Sequence, residues 1–264
     1  VHPCSPDSLR GAIEAAAQKL IVPILIGPEA KIRALAAQEH LDISSYRLVA
    51  AEHSHHSAAV AVAMVQSGDA QTLMKGSLHT DELLAEVVKK DGGLRTERRI
   101  SHCFLLSVPT FSRWIIITDA AINIAPSLEE KRDIIQNAIE LAQAISIAVP
   151  KVAILSAVET VTNKIPSTLE AGALCKMADR GQITGGVLDG PLAFDNAIDE
   201  QAARTKGIHS PVAGKADILV VPNLEAGNML AKQLTFMADA EAAGIVLGAR
   251  VPICLLYTSD AADE

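Results

Sequence analysis

Short aliphatic runs, each closed by Gly, Pro or a polar residue, alternate with longer Ala-rich stretches of helical period along most of this chain. Ile21-Val22-Pro23-Ile24-Leu25-Ile26 stops at Gly27-Pro28, and a helical pattern follows from Glu29 to His40. Arg47 to Ala51 is followed by a helical pattern from His55 to Gln66, and Thr72-Leu73-Met74-Lys75 by one from His79 to Lys90. A repeated strand–helix order calls for a parallel sheet, because parallel neighbours need a crossover that a helix supplies. Aromatic residues are only 3% of the chain against 49% apolar, so Ala, Val, Ile and Leu must fill the core. That composition suits sheets covered by helices on both faces.

The alternation breaks once. Cys103 to Val108 and Trp114 to Thr118 are separated by Pro109-Thr110-Phe111-Ser112-Arg113, too short for a helix, which predicts a hairpin or antiparallel excursion. The pattern then resumes. Ser127-Leu128-Glu129-Glu130 reads as a capping box opening a helix to Ile145, and Ser167-Thr168-Leu169-Glu170 as a second opening a helix to Arg180. Strands are predicted at Val152 to Ala157, Ile183 to Leu188, Ala216 to Val221, Gly244 to Leu247 and Val251 to Leu256, with a helix from Ala226 to Met237. Composition excludes several classes. The formal net charge is -8 with no basic run of five, which argues against a nucleic-acid surface. No apolar stretch nears the ~20 residues that span a bilayer. Cys4, Cys103, Cys175 and Cys254 have no metal or redox spacing and read as buried thiols in a reducing compartment, so a cytoplasmic protein is expected. The start at Val1, without Met or a signal pattern, reads as a fragment or a processed chain.

In open parallel sheets, ligands bind beyond the carboxyl ends of the strands. Those ends here are polar and Gly-rich: Lys75-Gly76-Ser77-Leu78-His79-Thr80, Thr118-Asp119, Asp189-Gly190-Pro191 and Pro222-Asn223-Leu224-Glu225-Ala226-Gly227-Asn228. Gly76-Ser77 ahead of a helix suits a phosphate cradle, although Gly at a strand–helix turn is also ordinary. Asp189 and Asp195 place two carboxylates around one strand-end loop, fit for proton transfer or for a turn and a helix start. Arg95, Arg98 and Arg99 suit bidentate phosphate contacts, or a solvated charged loop. His53, His55 and His56 lack the spacing of a zinc site and read as a surface cluster.

Taken together, these stretches resemble the phosphate acetyltransferase/phosphate butyryltransferase family. The resemblance is carried by Leu73-Met74-Lys75-Gly76-Ser77-Leu78-His79-Thr80, by Gly92-Gly93-Leu94-Arg95 with Arg99-Ile100-Ser101-His102, and by Ile117-Thr118-Asp119-Ala120-Ala121. It continues through Asp189-Gly190-Pro191-Leu192-Ala193-Phe194-Asp195 and Ser210-Pro211-Val212-Ala213-Gly214-Lys215-Ala216-Asp217, on to Pro222 through Asn228 and Lys232. It spans residues 8 to 253 and is closest to the phosphotransacetylase module that follows an enoyl-CoA hydratase (MaoC-like) module in some bacterial proteins.

The resemblance implies an α/β protein of two three-layer α/β/α subdomains with a cleft between them, as in isocitrate and isopropylmalate dehydrogenases. One would comprise residues 1–98 plus 245–264 and the other 99–244. It implies direct acyl transfer between coenzyme A and inorganic phosphate, with coenzyme A as substrate, no permanently bound cofactor, no metal, and a homodimer as the usual state. On that pattern Gly76, Ser77, His79, Thr80, Arg95 and Asn228 would hold phosphate or acyl phosphate. Asp189, Asp195 and Ser259 would serve catalysis, and Thr258 and Ser259 would touch coenzyme A.

Two departures stand out. The Arg that acetyl-type members carry near Leu84 and Ala85 is absent, as it is in butyryl-type members. Asp260 stands where the family's Thr-Ser-Arg turn has its cation, and no closing helices follow. The last ten or so residues are therefore expected to derive from a cloning or assembly junction. A non-catalytic acyl-CoA or phosphate binder and a hydroxy-acid dehydrogenase of the same fold are the rival readings.

Overall fold

The computed structural model describes residues 1–255. The chain divides into two compact units, Val1–Glu97 together with Ala249 onward, and Arg98–Gly248. The first unit runs α1 (Pro6–Ala17), β1 (Ile24–Gly27), α2 (Glu29–Gln38), β2 (Arg47–Ala50), α3 (Ser54–Gln66), β3 (Leu73–Lys75) and α4 (Thr80–Val87). The second runs β4 (Ser101–Ser107), β5 (Ile115–Thr118), α5 (Leu128–Ala144), β6 (Lys151–Leu155), α6 (Pro166–Asp179), β7 (Val187–Leu192), α7 (Phe194–Ile198), α8 (Glu200–Thr205), β8 (Ile218–Val220), α9 (Leu224–Met237) and β9 (Glu241–Leu247). The chain then returns to the first unit with β10 (Ile253–Leu255).

In the first unit β1 pairs with β2, and β3 with β10, both in parallel. Val1 and His2 lie against β1 and the turn after β3: the His2 N–H donates to the Ile26 carbonyl at 2.7 Å, and the Val1 and His2 carbonyls accept from Gly76 and Ser77. Leu9, Leu25, Ile32, Ala36 and Ile43 form a small aliphatic core under α1 and α2.

In the second unit the strands lie in the order β9-β4-β5-β8-β6-β7. Strands β5, β8, β6 and β7 are parallel, whereas β4 is antiparallel to both β5 and β9. The antiparallel excursion expected at Cys103–Thr118 is thus the β4–β5 pair. The core cluster that holds Ile116, Ile135, Ile139, Val152, Leu174 and Ile218 is aliphatic. At about 25 cal/mol per Å² of apolar surface removed from water, interlocking aliphatic chains suffice here, provided that the strands carry β-branched residues and the helices Ala.

Three local expectations need correction. The helix expected to be capped by Ser167 begins two residues earlier, at Pro166, with Ile165 as N-cap and no capping side chain. Proline fixes φ near its helical value and gives up an N–H that the first turn cannot use. Ser167 and Thr168 are therefore inside the first turn, and Glu170 turns away to pair with Lys131 of α5. The strand expected at Ile183 to Leu188 starts only at Val187 and continues through Asp189, Gly190 and Pro191 to Leu192. Gly185 has φ +86°, and Gln136 clasps the Thr184 N–H and carbonyl, so residues 183–186 form a turn before the strand. Residues 5–18, to which the pattern assigns no element, hold α1, whose Ser5 and Ser8 form a reciprocal cap.

Candidate active site

With β5, β8 and β6 parallel and β4 running against them, Asp119, Ser156 and Asn223 leave the second sheet at the same edge at which β4 begins. A buried polar group at this edge is built on Asp119, only 3% exposed. Its Oδ1 accepts the N–H groups of Ala121 at 2.9 Å and Ile122 at 3.0 Å. Its Oδ2 accepts the His102 N–H at 3.2 Å and the Asn123 side-chain amide at 2.5 Å. Burial pushes the Asp119 carboxyl up, and these hydrogen bonds oppose the rise. With four donors already on two oxygens, Asp119 holds the loop rather than taking a proton from a substrate.

Asn123 extends the group. Its amide also reaches the Ile100 carbonyl, and its Oδ1 accepts from Arg99 Nε at 2.6 Å. Arg99 in turn lies 3.0 Å from Glu130 through Nη1. On the other side, Asn228 Nδ2 donates to the Ala120 carbonyl at 3.4 Å, and Gly227 packs so closely that a Cβ there would meet Ala120 Cβ at 2.9 Å. Asn223 caps α9 by accepting the Ala226 N–H at 2.9 Å. Ser156, 9% exposed, shares a 2.8 Å hydrogen bond with Ser167. His102, fully buried beside this group, has its pKa lowered to about 3 by desolvation.

Of the residues expected to serve the site, Asn228 joins this edge. Asp189 does not stand on a strand-end loop. It lies within β7, level with Ala153, and its Oδ1 accepts the next N–H, that of Gly190. Asp195 is exposed in the first turn of α7. Among the described residues, no cation pairs with either carboxylate and no bond joins them. The extension of β7 through Gly190-Pro191 separates two carboxylates that the sequence pattern puts on one loop.

Gly76, Ser77 and His79 lie in the turn between β3 and α4 in the first unit, with His79 as the N-cap and Thr80 as the first residue of α4. The N–H groups of Gly76, Ser77 and Leu78 are already used, by the carbonyls of Val1, His2 and Gly76. A Cβ on Gly76 would lie 2.4 Å from the Val1 oxygen, so the glycine admits the chain's own backbone. Those amides are therefore not open to an anion, whereas the side chains of Ser77 and His79 are exposed. Arg95 is exposed and forms a backbone bridge with Ala249. Thr258 and Ser259, with Asp260, lie outside the described residues.

His53, His55 and His56 are exposed around the start of α3, where His53 Nδ1 accepts the His56 N–H as the helix cap. His55 lies 3.7 Å from Glu82. Among the described residues, no three His, Cys, Asp or Glu side chains are arranged to hold a metal, and no helix is long and apolar enough to cross a membrane. Sequence reasoning sees Thr118-Asp119 only as a polar strand end and gives Asp119 and Asn123 no role. The signal that could have found them is an Asp and an Asn four apart, directly after a strand.

The α/β fold described above matches that of solved phosphotransacylases. A crystal structure of a branched-chain phosphotransacylase from Enterococcus faecalis V583 superposes with a TM-score of 0.83 at 32% identity, covering 99% of this chain and 91% of that one. The family model described as "Phosphate acetyl/butaryl transferase" matches residues 49–264, and the chain belongs to that family of acyltransferases. The phosphate acetyltransferase of Rhizobium meliloti is 66% identical over 259 residues, which is 98% of this chain and 82% of that protein. The phosphate butyryltransferase of Clostridium acetobutylicum is 42% identical over 237 residues, 90% of this chain and 79% of that protein. In fold alone, the chain also matches a 4-hydroxythreonine-4-phosphate dehydrogenase from Burkholderia phymatum, at a TM-score of 0.51 and 13% identity over 95% of this chain and 84% of that one. This agrees with the dehydrogenase-like α/β fold implied by the family resemblance.

Proposed function

We propose that this chain catalyses reversible acetyl transfer between coenzyme A and inorganic phosphate. The observation that carries this reading is the 66% identity to a phosphate acetyltransferase over 98% of the chain, against 42% to a phosphate butyryltransferase. Coenzyme A enters as a substrate, and no permanently bound cofactor is required.

In the direction of thioester synthesis, a carboxylate takes the proton of the coenzyme thiol, and the thiolate sulfur attacks the acyl carbon of acetyl phosphate. The tetrahedral oxyanion then collapses, the carbon–oxygen bond to phosphate breaks, and phosphate leaves as an anion. Asp189 and Asp195 are the candidate bases, and the half-buried position of Asp189 in β7 favours it over the exposed Asp195. Ser77, His79, Thr80 and Asn228 are the candidate contacts to the acyl phosphate and the departing phosphate, with Arg95 as a further cation. Thr258 and Ser259 are the candidate contacts to coenzyme A.

The test is thioester formation from acetyl phosphate and coenzyme A by the purified chain, beside Asp189→Ala and Asp195→Ala. The proposal expects Asp189→Ala to lower kcat by roughly 100-fold, the lower range of general-base effects. Wild-type turnover with an unchanged Asp189→Ala rate would remove Asp189 from the mechanism. Equal loss in Asp195→Ala would transfer the role.

A further inference from the structure

The Arg95, Arg98 and Arg99 group finds three different fates in the fold. Arg95 is exposed, and Arg98 lies 2.5 Å from Glu140 through Nη1. Arg99 alone is built into a network. Its N–H donates to Asp133 at 3.0 Å, its carbonyl accepts from the Asn137 amide at 3.0 Å, and a Cβ on Gly248 would lie 2.4 Å from that carbonyl. Its guanidinium is fixed at two corners, Nε on Asn123 and Nη1 near Glu130. No such bond is made by Nη2 among the described residues, and the side chain remains 49% exposed.

A planar donor held in this way has already lost the rotamer freedom that a mobile surface Arg would lose on binding. The neighbouring carboxylates divide by how they are engaged. Asp119 is enclosed by four N–H donors, Asp133 is paired with Arg132, and Glu140 with Arg98. Glu130 is different, because its Oε2 accepts the Ser127 N–H in the cap of α5 while its Oε1 faces Arg99. It is the one carboxylate of these four that competes directly with an incoming anion for the guanidinium.

We infer that Arg99 is a binding residue for the phosphate group of the substrate, with Glu130 as its resting counter-ion. This rests on the acyl-transfer reading for the identity of the anion, but the binding can be measured without turnover. Inorganic phosphate is titrated into the 15N-labelled chain at low ionic strength. The Arg99 Nε–H and Asn123 side-chain amide resonances are followed, and phosphate KM is measured in the direction that consumes phosphate.

Wild type is expected to show saturable shifts at both groups. Arg99→Ala should weaken phosphate binding at least about tenfold through loss of a charge-assisted contact, and Arg99→Lys should restore part of it. Glu130→Gln keeps a side chain suited to the capping box and removes the competing charge, so it should tighten binding about threefold. Arg98→Ala removes a neighbouring charge and should stay within about twofold, which controls for bulk electrostatics. Unchanged phosphate affinity in Arg99→Ala, weaker or unchanged affinity in Glu130→Gln, or no saturable shift in wild type each overturns the inference. Saturable binding that follows this order without any turnover would instead refute the acyl-transfer reading and leave Arg99 as an anion ligand.

Discussion

Asp119→Asn is nearly isosteric, yet it should cost this chain about 3 kcal/mol. The carboxylate accepts four N–H donors, two on each oxygen, at 2.5 to 3.2 Å. An Asn can keep its carbonyl toward Ala121 and Ile122, but its NH2 then faces the His102 N–H and the Asn123 amide, donor against donor. Two hydrogen bonds to a charged group are lost, each worth roughly 1.5–3 kcal/mol, and the His102 N–H is left buried without its acceptor. Relief of burying a negative charge returns part of that loss, since burial already pushes this carboxyl up. The remainder, about 3 kcal/mol, corresponds to a fall in Tm of roughly 6–12 °C for a domain of this size. Urea unfolding at neutral pH, with amide exchange read at His102, Ala121 and Ile122, measures it directly. Loss of stability within about 0.5 kcal/mol of zero, or unchanged exchange at those amides, would refute the reasoning that Asp119 organises the loop.

Other substitutions probe separate parts of the account. His102 has a folded pKa of about 3 against the ordinary 6.5, so the unfolded chain binds its proton first. Its contribution is complete above about pH 6.5 and is lost as pH falls toward 3, with a slope approaching about 1.4 kcal/mol per pH unit; wild-type minus His102→Asn stability profiles should show this slope, and a flat difference would contradict it. Gly76→Ala forces a methyl within 2.4 Å of the Val1 carbonyl and should destabilise by about 1–3 kcal/mol in thermal melts, while a neutral result would mean that the N-terminal segment moves aside freely. Lys131 is 5% exposed and pairs with the more exposed Glu170, so Glu170→Ala should cost several kcal/mol by stranding a buried ammonium. Lys131→Met should stay within about 1 kcal/mol of wild type, and the opposite order in urea unfolding would refute the pair's asymmetry.

Most strands and helices were legible because their period and punctuation are local properties of the chain. The run Ile24 to Gly27 followed by Glu29 to Gln38 needs no tertiary information, and the Ser127 capping box forms as read. Ser167 shows where local reading fails: the same box motif is present, but Pro166 starts the helix earlier and Lys131 draws Glu170 away. Asp189 failed for a related reason, since a Gly-Pro pair normally ends a strand, whereas here β7 carries both at the edge of its unit's sheet. The Asp119 group was invisible because its donors come from His102 in β4 and from Ala121, Ile122 and Asn123 after β5, positions up to 17 residues from Asp119 in sequence. No period or spacing rule encodes that convergence. The amides after Gly76 looked open because the sequence does not say that Val1 and His2 will occupy them.

The most direct test of the central claim is the initial rate of thioester formation by the wild-type chain, with coenzyme A and either acetyl phosphate or butyryl phosphate. Turnover with both, faster on acetyl phosphate, is the predicted result. Thioester formation on neither substrate, or a clear preference for butyryl phosphate, would contradict it.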